Sequence, residues 1–146
     1  MAITTNAICN TFKKELLEAT HNFKTSGGGG NTFKLAMYTN SATLGKSTTS
    51  FTTGNEVSSS GYASGGKALV NIGTSIATNT AITDFADLSF TGVTLTARGA
   101  LIYNDTASGD PAVAVLDFGG DKTATAGTFT IQFPAFTTSA AILRIA

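Results

Sequence analysis

Beyond its start the apolar residues of this chain fall in short alternating stretches and compact runs, and only near the start do they recur at steps of three and four. The stretch around which the rest is organised lies between Val93 and Gly119. There the apolar runs Thr94–Tyr103 and Ala112–Phe118 flank Asn104-Asp-Thr-Ala-Ser-Gly-Asp-Pro111. The connector is rich in residues that bond their own backbone, accept left-handed dihedrals or fix φ. The runs are rich in β-branched, aromatic and large aliphatic types, which suit a pleated, half-buried surface. This pattern predicts a long antiparallel hairpin at the centre of an all-β domain. Asn31–Thr39 places Phe33, Leu35 and Met37 on one face and Lys34, Ala36 and Tyr38 on the other, a strand with one side buried. Lys67–Ile72, Ala81–Phe85, Thr128–Phe133 and a short Ala141–Ile145 read as further strands, with Pro134 stopping the third. Leu88 and Phe90 read as irregular packing between strands, and Gly119–Gly127 as a glycine-bounded turn. About seven strands at short spacing predict a mainly β fold, an antiparallel β-sandwich or a partly closed barrel.

The exception is the start. Ile8, Phe12, Leu16, Ala19 and Phe23 line one face of an α-helix, with Lys13, Lys14, Glu15 and Glu18 largely off it. Thr5 or Asn6 is placed to cap it. Gly27-Gly28-Gly29-Gly30 follows, a run of high backbone entropy that reads as a hinge or tether. The expected organisation is therefore one domain: a helix within 1–26, a glycine linker at 27–30 and a β domain over 31–146. The helix packs either on its own sheet or on a neighbouring subunit. Between Asn40 and Gly66 the chain is Ser-, Thr- and Gly-rich, with Phe51, Val57 and Tyr62 as its few apolar anchors. A connection this long in a compact domain is usually functional, so a contact surface is expected there.

Composition narrows the function. With 146 residues the chain is long enough for a core without staples. Only 12% of residues are charged, and nine basic side chains balance nine acidic ones. That argues against a nucleic-acid partner, which needs a cationic patch. A surface of Thr, Ser, Asn, Gly and Ala is compatible with packing against neighbouring subunits. Cys9 is alone, so no disulfide framework or cysteine metal cluster is expected. No segment resembles a secretory signal or reaches the length of a membrane helix, so a protein folded in a cytoplasm is expected.

Motifs of reaction chemistry are weak. Gly45-Lys46-Ser47 lacks the upstream glycine of a phosphate loop, since position 40 is Asn. Asp117-Phe118-Gly119 has no kinase context, and Asp117 reads as a strand end that caps the turn with Gly119 and Gly120. Asp105 and Asp110 lack the spacing of a calcium loop. His21, the single histidine, reads as a helix-end residue favoured by the dipole. Neither an enzyme nor a cofactor is expected. Arg98, inside an apolar strand, is either a solvated side chain or a bridge to Asp84, Asp87 or Glu56 that fixes register or a subunit contact; Arg144 stands in the same position.

The succession Asn55-Glu-Val57, Gly61-Tyr62, Asp84-Phe85-Ala86-Asp87, Ala97-Arg-Gly-Ala-Leu-Ile-Tyr-Asn104, Leu116-Asp-Phe-Gly119, Phe129-Thr-Ile-Gln-Phe-Pro134 and Ile142-Leu-Arg-Ile145 resembles small virion structural proteins of tailed bacteriophages, cyanophage-like ones in particular. Phe12-Lys-Lys-Glu-Leu-Leu17 and Phe33-Lys-Leu-Ala-Met-Tyr38 fit the same resemblance. It implies a non-enzymatic part assembled in the host cytoplasm and resident in the virion, first of all a head decoration or cement protein. Its partners would be the major capsid protein, or neck or tail proteins, and further copies of itself. A neck or tail ring is the alternative, and a host-surface or glycan-binding module the third class. Such a module stacks sugars on exposed aromatics, and the chain offers Tyr38, Tyr62 and Tyr103 but no Trp. The expected subunit contacts are Phe12 and Leu16 on the helix, Phe51, Val57 and Tyr62 in the long loop, and Arg98.

Overall fold

A computed structural model describes residues 3–146. Among the described residues the chain forms one helix and eight strands. They are β1 (Ala7–Ile8), α1 (Asn10–Leu17), β2 (Phe33–Tyr38), β3 (Lys67–Ala68), β4 (Asn71–Ala77), β5 (Thr80–Phe85), β6 (Leu88–Asn104), β7 (Ala112–Ile131) and β8 (Leu143–Ile145). Two antiparallel sheets, ordered β1-β7-β6-β2-β3 and β4-β5-β8, make a β-sandwich carrying one helix. Neither sheet closes into a barrel.

The central antiparallel hairpin forms as expected, with Tyr103 opposite Ala112 and Gly99 opposite Asp117. It is much longer than its two apolar runs. Gly119–Gly127 is not a turn: residues 118–121 bulge from β7, and the ladder resumes at Lys122 opposite Ala97 and continues to Ile131 opposite Leu88. Gly119 at φ 77° and Ala126 at φ 46° supply the left-handed steps that bend the strand without reversing it. Leu88 and Phe90 accordingly lie inside β6. Strand β2 pairs with β6 on one side and β3 on the other, and Ala36 and Tyr38 are as buried as Phe33, Leu35 and Met37. Both of its faces are covered, where alternation alone predicted one.

The expected strand Lys67–Ile72 divides between the sheets. Leu69 N–H donates to the Phe33 carbonyl in the first sheet, and the Val70 carbonyl accepts from Ala86 N–H beside the second. Leu69 is buried at this crossing. The layers meet through aromatic rings: Phe23 stacks on Phe33 at 4.4 Å, Phe33 meets Phe85 at 5.7 Å, and Phe85 meets Phe133 at 5.6 Å. Each fully buried phenylalanine contributes about 1.5–3 kcal/mol of transfer free energy.

The helix is shorter than its periodicity predicts. After Leu17 the chain closes a Schellman turn, with Thr20 N–H donating to Glu15 O, Ala19 N–H donating to Leu16 O, and Ala19 at φ 60°. At the other end residues 7–8 pair with β7, so helix entry moves to Cys9, where no side chain caps it. Asn6 is not a cap; its Oδ1 accepts Asp117 N–H at 2.6 Å. The glycine run is a closed turn, not a tether. Gly28 and Gly30 N–H both donate to Thr25 O, and Asn31 N–H donates to Asn22 O. The helix therefore packs on its own domain, with Phe12 against His21 and Phe23.

Candidate contact surface

The long segment between Tyr38 and Lys67 has almost no regular structure, yet it is fastened along its whole length. Three tyrosine hydroxyls hold it. Tyr38 donates to Thr52 O (2.6 Å), Tyr103 donates to Gly65 O (2.6 Å), and Tyr62 accepts Met37 N–H (2.8 Å) while donating to Glu56 Oε1 (2.8 Å). The Glu56 carboxylate also receives Gly65 N–H (2.7 Å) and the Ser64 hydroxyl (2.9 Å). Burial pushes all three phenols well above their ordinary value, so they remain hydroxyl donors. Gly66, at φ 75°, lies so close to Leu35 that a Cβ would strike the Leu35 carbonyl oxygen.

This arrangement decides where the expected contact residues go. Val57 and Tyr62 are buried in the chain's own core, and Phe51 is half-buried with its ring stacked on Tyr103 at 4.7 Å. Phe12 is buried and Leu16 half-buried, both against this domain. The side chains that the loop turns to solvent are mostly Ser, Thr and Asn, with Lys46 its one exposed charge. The buried tyrosines present no open ring for stacking a sugar.

Arg98 pairs with Asp117 on the adjacent strand and with none of Asp84, Asp87 or Glu56. The bulge at 118–121 brings that carboxylate alongside, and the guanidinium holds the Asp117 carboxyl below its ordinary value. Asp117 also accepts Gly119 N–H at 2.8 Å, which is the expected cap, made here within a strand. Arg144 is exposed and donates to Thr138 O.

His21 lies past the helix end and is buried. Its Nδ1 meets Asn104 Nδ2 at 3.1 Å, which fixes Nδ1 as the acceptor and leaves the proton on Nε2, 3.7 Å from Glu15 Oε1. Desolvation lowers its pKa against the opposing pull of Glu15. The second Asn104 amide hydrogen goes to Asn31 Oδ1, and its Oδ1 accepts from Thr106 and Ala107 N–H. Asn104 is thus a fully bonded buried hub that ties the N-terminal segment to the hairpin end. Burial pushes the Cys9 thiol up to about 11, which makes it unreactive. Asp84 is fully buried; one carboxylate oxygen accepts Phe85 N–H and the other has no hydrogen bond. Among the described residues no three His, Cys, Asp or Glu side chains gather into a metal-binding group, and no helix is long and apolar enough to cross a membrane.

What remains open is apolar. A groove of about 830 Å³ runs between α1 and the β5–β8 side of the small sheet, with Phe12, Leu16, Ile82 and Leu143 along it. Leu17, 91% exposed, and the exposed Ile145 stand on its rim beside Lys13 and Arg144. A second depression of about 810 Å³ lies along β7 between β1 and the C-terminal segment, lined by Ile8, Leu116, Phe118, Phe129, Ile131 and Ile142. Sequence reasoning placed Leu16 on the helix's inner face and passed over Leu17. A second leucine directly after an inward one, on a helix otherwise polar outside, was the available signal. The chain was compared with family models, curated proteins and solved structures, and none of them matches it.

Proposed function

We propose that this chain is a non-enzymatic virion structural protein of a tailed phage, a capsid decoration protein that binds the assembled head. The observation that carries the reading is the apolar groove between α1 and β8 with the solvent-facing Leu17 on its rim. An exposed apolar groove on so weakly charged a domain fits a segment of another subunit better than a small polar substrate. The resemblance of the strand and turn signatures supplies the class of that subunit, the major capsid protein. Rigidity supports the same role, because a tied-down loop and a helix packed in place lose little entropy on docking. Each contact is modest, and many equivalent copies on a shell multiply it.

The test is copy number in purified particles by quantitative mass spectrometry against the major capsid protein, paired with Leu17→Asp in a shell-binding assay. Hundreds of copies, with loss of binding in the variant, are the expected result. Six to twelve copies would place the protein in a neck or tail ring. That second reading draws on the open edges of β4 and β8, which allow head-to-tail strand pairing. Absence from particles would end both.

A further inference from the structure

Two buried polar atoms face each other without a hydrogen bond. They are His21 Nε2 and Glu15 Oε1, 3.7 Å apart. The other nitrogen of the same ring does have a partner, since Nδ1 meets the Asn104 amide at 3.1 Å. The imidazole thus stands between one partner that it uses and one that it does not.

The used side admits only the neutral ring. Asn104 is held from turning its amide over, because its Oδ1 accepts Thr106 N–H at 3.0 Å and Ala107 N–H at 3.2 Å. Its Nδ2 donates to Asn31 Oδ1 at 3.0 Å, an oxygen that also accepts Asn22 N–H at 2.8 Å. A flipped amide would aim its hydrogens at two N–H groups and its oxygen at another oxygen. A proton taken from water onto His21 Nδ1 therefore sets two donors against each other at the 3.1 Å contact. Half a turn of the ring brings a carbon to Asn104 and loses the same bond. The unused side has the opposite preference. An imidazolium gains a charge-assisted hydrogen bond to Glu15 once the 3.7 Å gap closes.

We infer that His21 is a proton-driven switch between two partners. Neutral, it locks the turn from Asn22 to Asn31 onto the hairpin end through Asn104. Protonated, it moves to Glu15 and loosens that turn. Of the charged groups on the elements around the ring, Glu15 of α1 is the one that acts on it. Lys14 and Glu18 pair with each other on the exposed side of α1, and Lys34 of β2 pairs with Asp105 beside the hairpin end. Phe12, Phe23 and Phe33, whose rings lie about the imidazole, carry no charge. Desolvation among them outweighs the pull of Glu15 and holds the folded value below 6.5. The switch therefore rests in its locked position at neutral pH and works on acidification. The inference concerns the free protein and does not depend on the virion reading.

NMR titration of the full chain tests it. The His21 ring should titrate below 6.5, with the proton of its neutral form on Nε2. Across the same midpoint, exchange at the Asn22, Thr106 and Ala107 amides should quicken about tenfold beyond its intrinsic pH dependence, while the β6–β7 ladder stays protected. Glu15→Gln keeps the size of a partly exposed side chain, removes its charge, and should lower both midpoints together. In His21→Phe the acid step at the three amides should vanish. A neutral ring protonated on Nδ1, or a midpoint at or above 6.5, would overturn the switch. So would amides indifferent to the titration, an amide midpoint that Glu15→Gln leaves in place, or opening of the whole ladder along with them.

Discussion

Buried Asp84 and His21 make stability depend on pH in opposite directions. Asp84 has a carboxylate oxygen without a partner, and burial raises its pKa above 3.8. The protonated form is favoured in the fold, so its contribution is fully present below the unfolded value and is lost as pH rises through the raised one. Asp84→Asn should therefore raise Tm at pH 7, with the gain vanishing once the pH falls below the ordinary carboxylate range, as thermal melts against pH would show. His21 is depressed below 6.5, so its contribution is present above 6.5 and is lost as pH falls through its folded value. His21→Phe should remove the stability slope below pH 6.5 and cost about 1–2 kcal/mol at pH 7, because Asn104 loses an acceptor. Ala19 offers a third measurement. It occupies the left-handed position of a helix stop, where glycine has no Cβ penalty, so Ala19→Gly should stabilise by about 1 kcal/mol in urea unfolding.

The long loop owes its order to side chains and not to a ladder. Tyr62→Phe removes the donor to Glu56 and the acceptor for Met37 N–H in one change. A loss of about 1–3 kcal/mol is expected, with faster amide exchange at Met37 and Gly65 while β6 and β7 stay protected. No change in exchange at those two amides would mean the tyrosine does not hold the loop. This segment was legible as a connection, and its anchors Phe51, Val57 and Tyr62 were legible as apolar exceptions in a Ser/Thr stretch. That they face inward was not, because a single large residue in a polar loop carries no period to orient it. The β6–β7 hairpin was legible for the opposite reason, since two long apolar runs flank a connector of turn residues. Its extension past Gly119 was hidden because Gly-Gly-Asp is equally good chemistry for a turn and for a bulge.

For the whole molecule, residues 3–30 are part of the folded body and not an appendage. Cys9, Phe12, His21 and Phe23 are buried, and Asn104 and Asn71 bond this segment to the hairpin and to β4. Deleting residues 1–23 should abolish cooperative unfolding, whereas a tethered helix would be dispensable. Proteolysis of the intact protein should spare Gly27–Gly30 for the same reason. The groove and the open β4 edge also belong to this scale, since each is made by elements that meet only in the folded chain.

The amino-acid pattern by itself determined the class of the fold, the central hairpin, the helix near the start and the weak charge of the surface. These follow from period, turn chemistry and composition, all of which are local. Tertiary structure alone decided that β2 is covered on both faces, that the strand after Lys67 splits between two sheets, that Arg98 meets Asp117, and that His21 lies in an aromatic core. Each of these is set by a neighbour distant in sequence. Burial and pairing depend on which strands become adjacent, and a hydrophobic period reports the inward side of a strand without naming what covers the other.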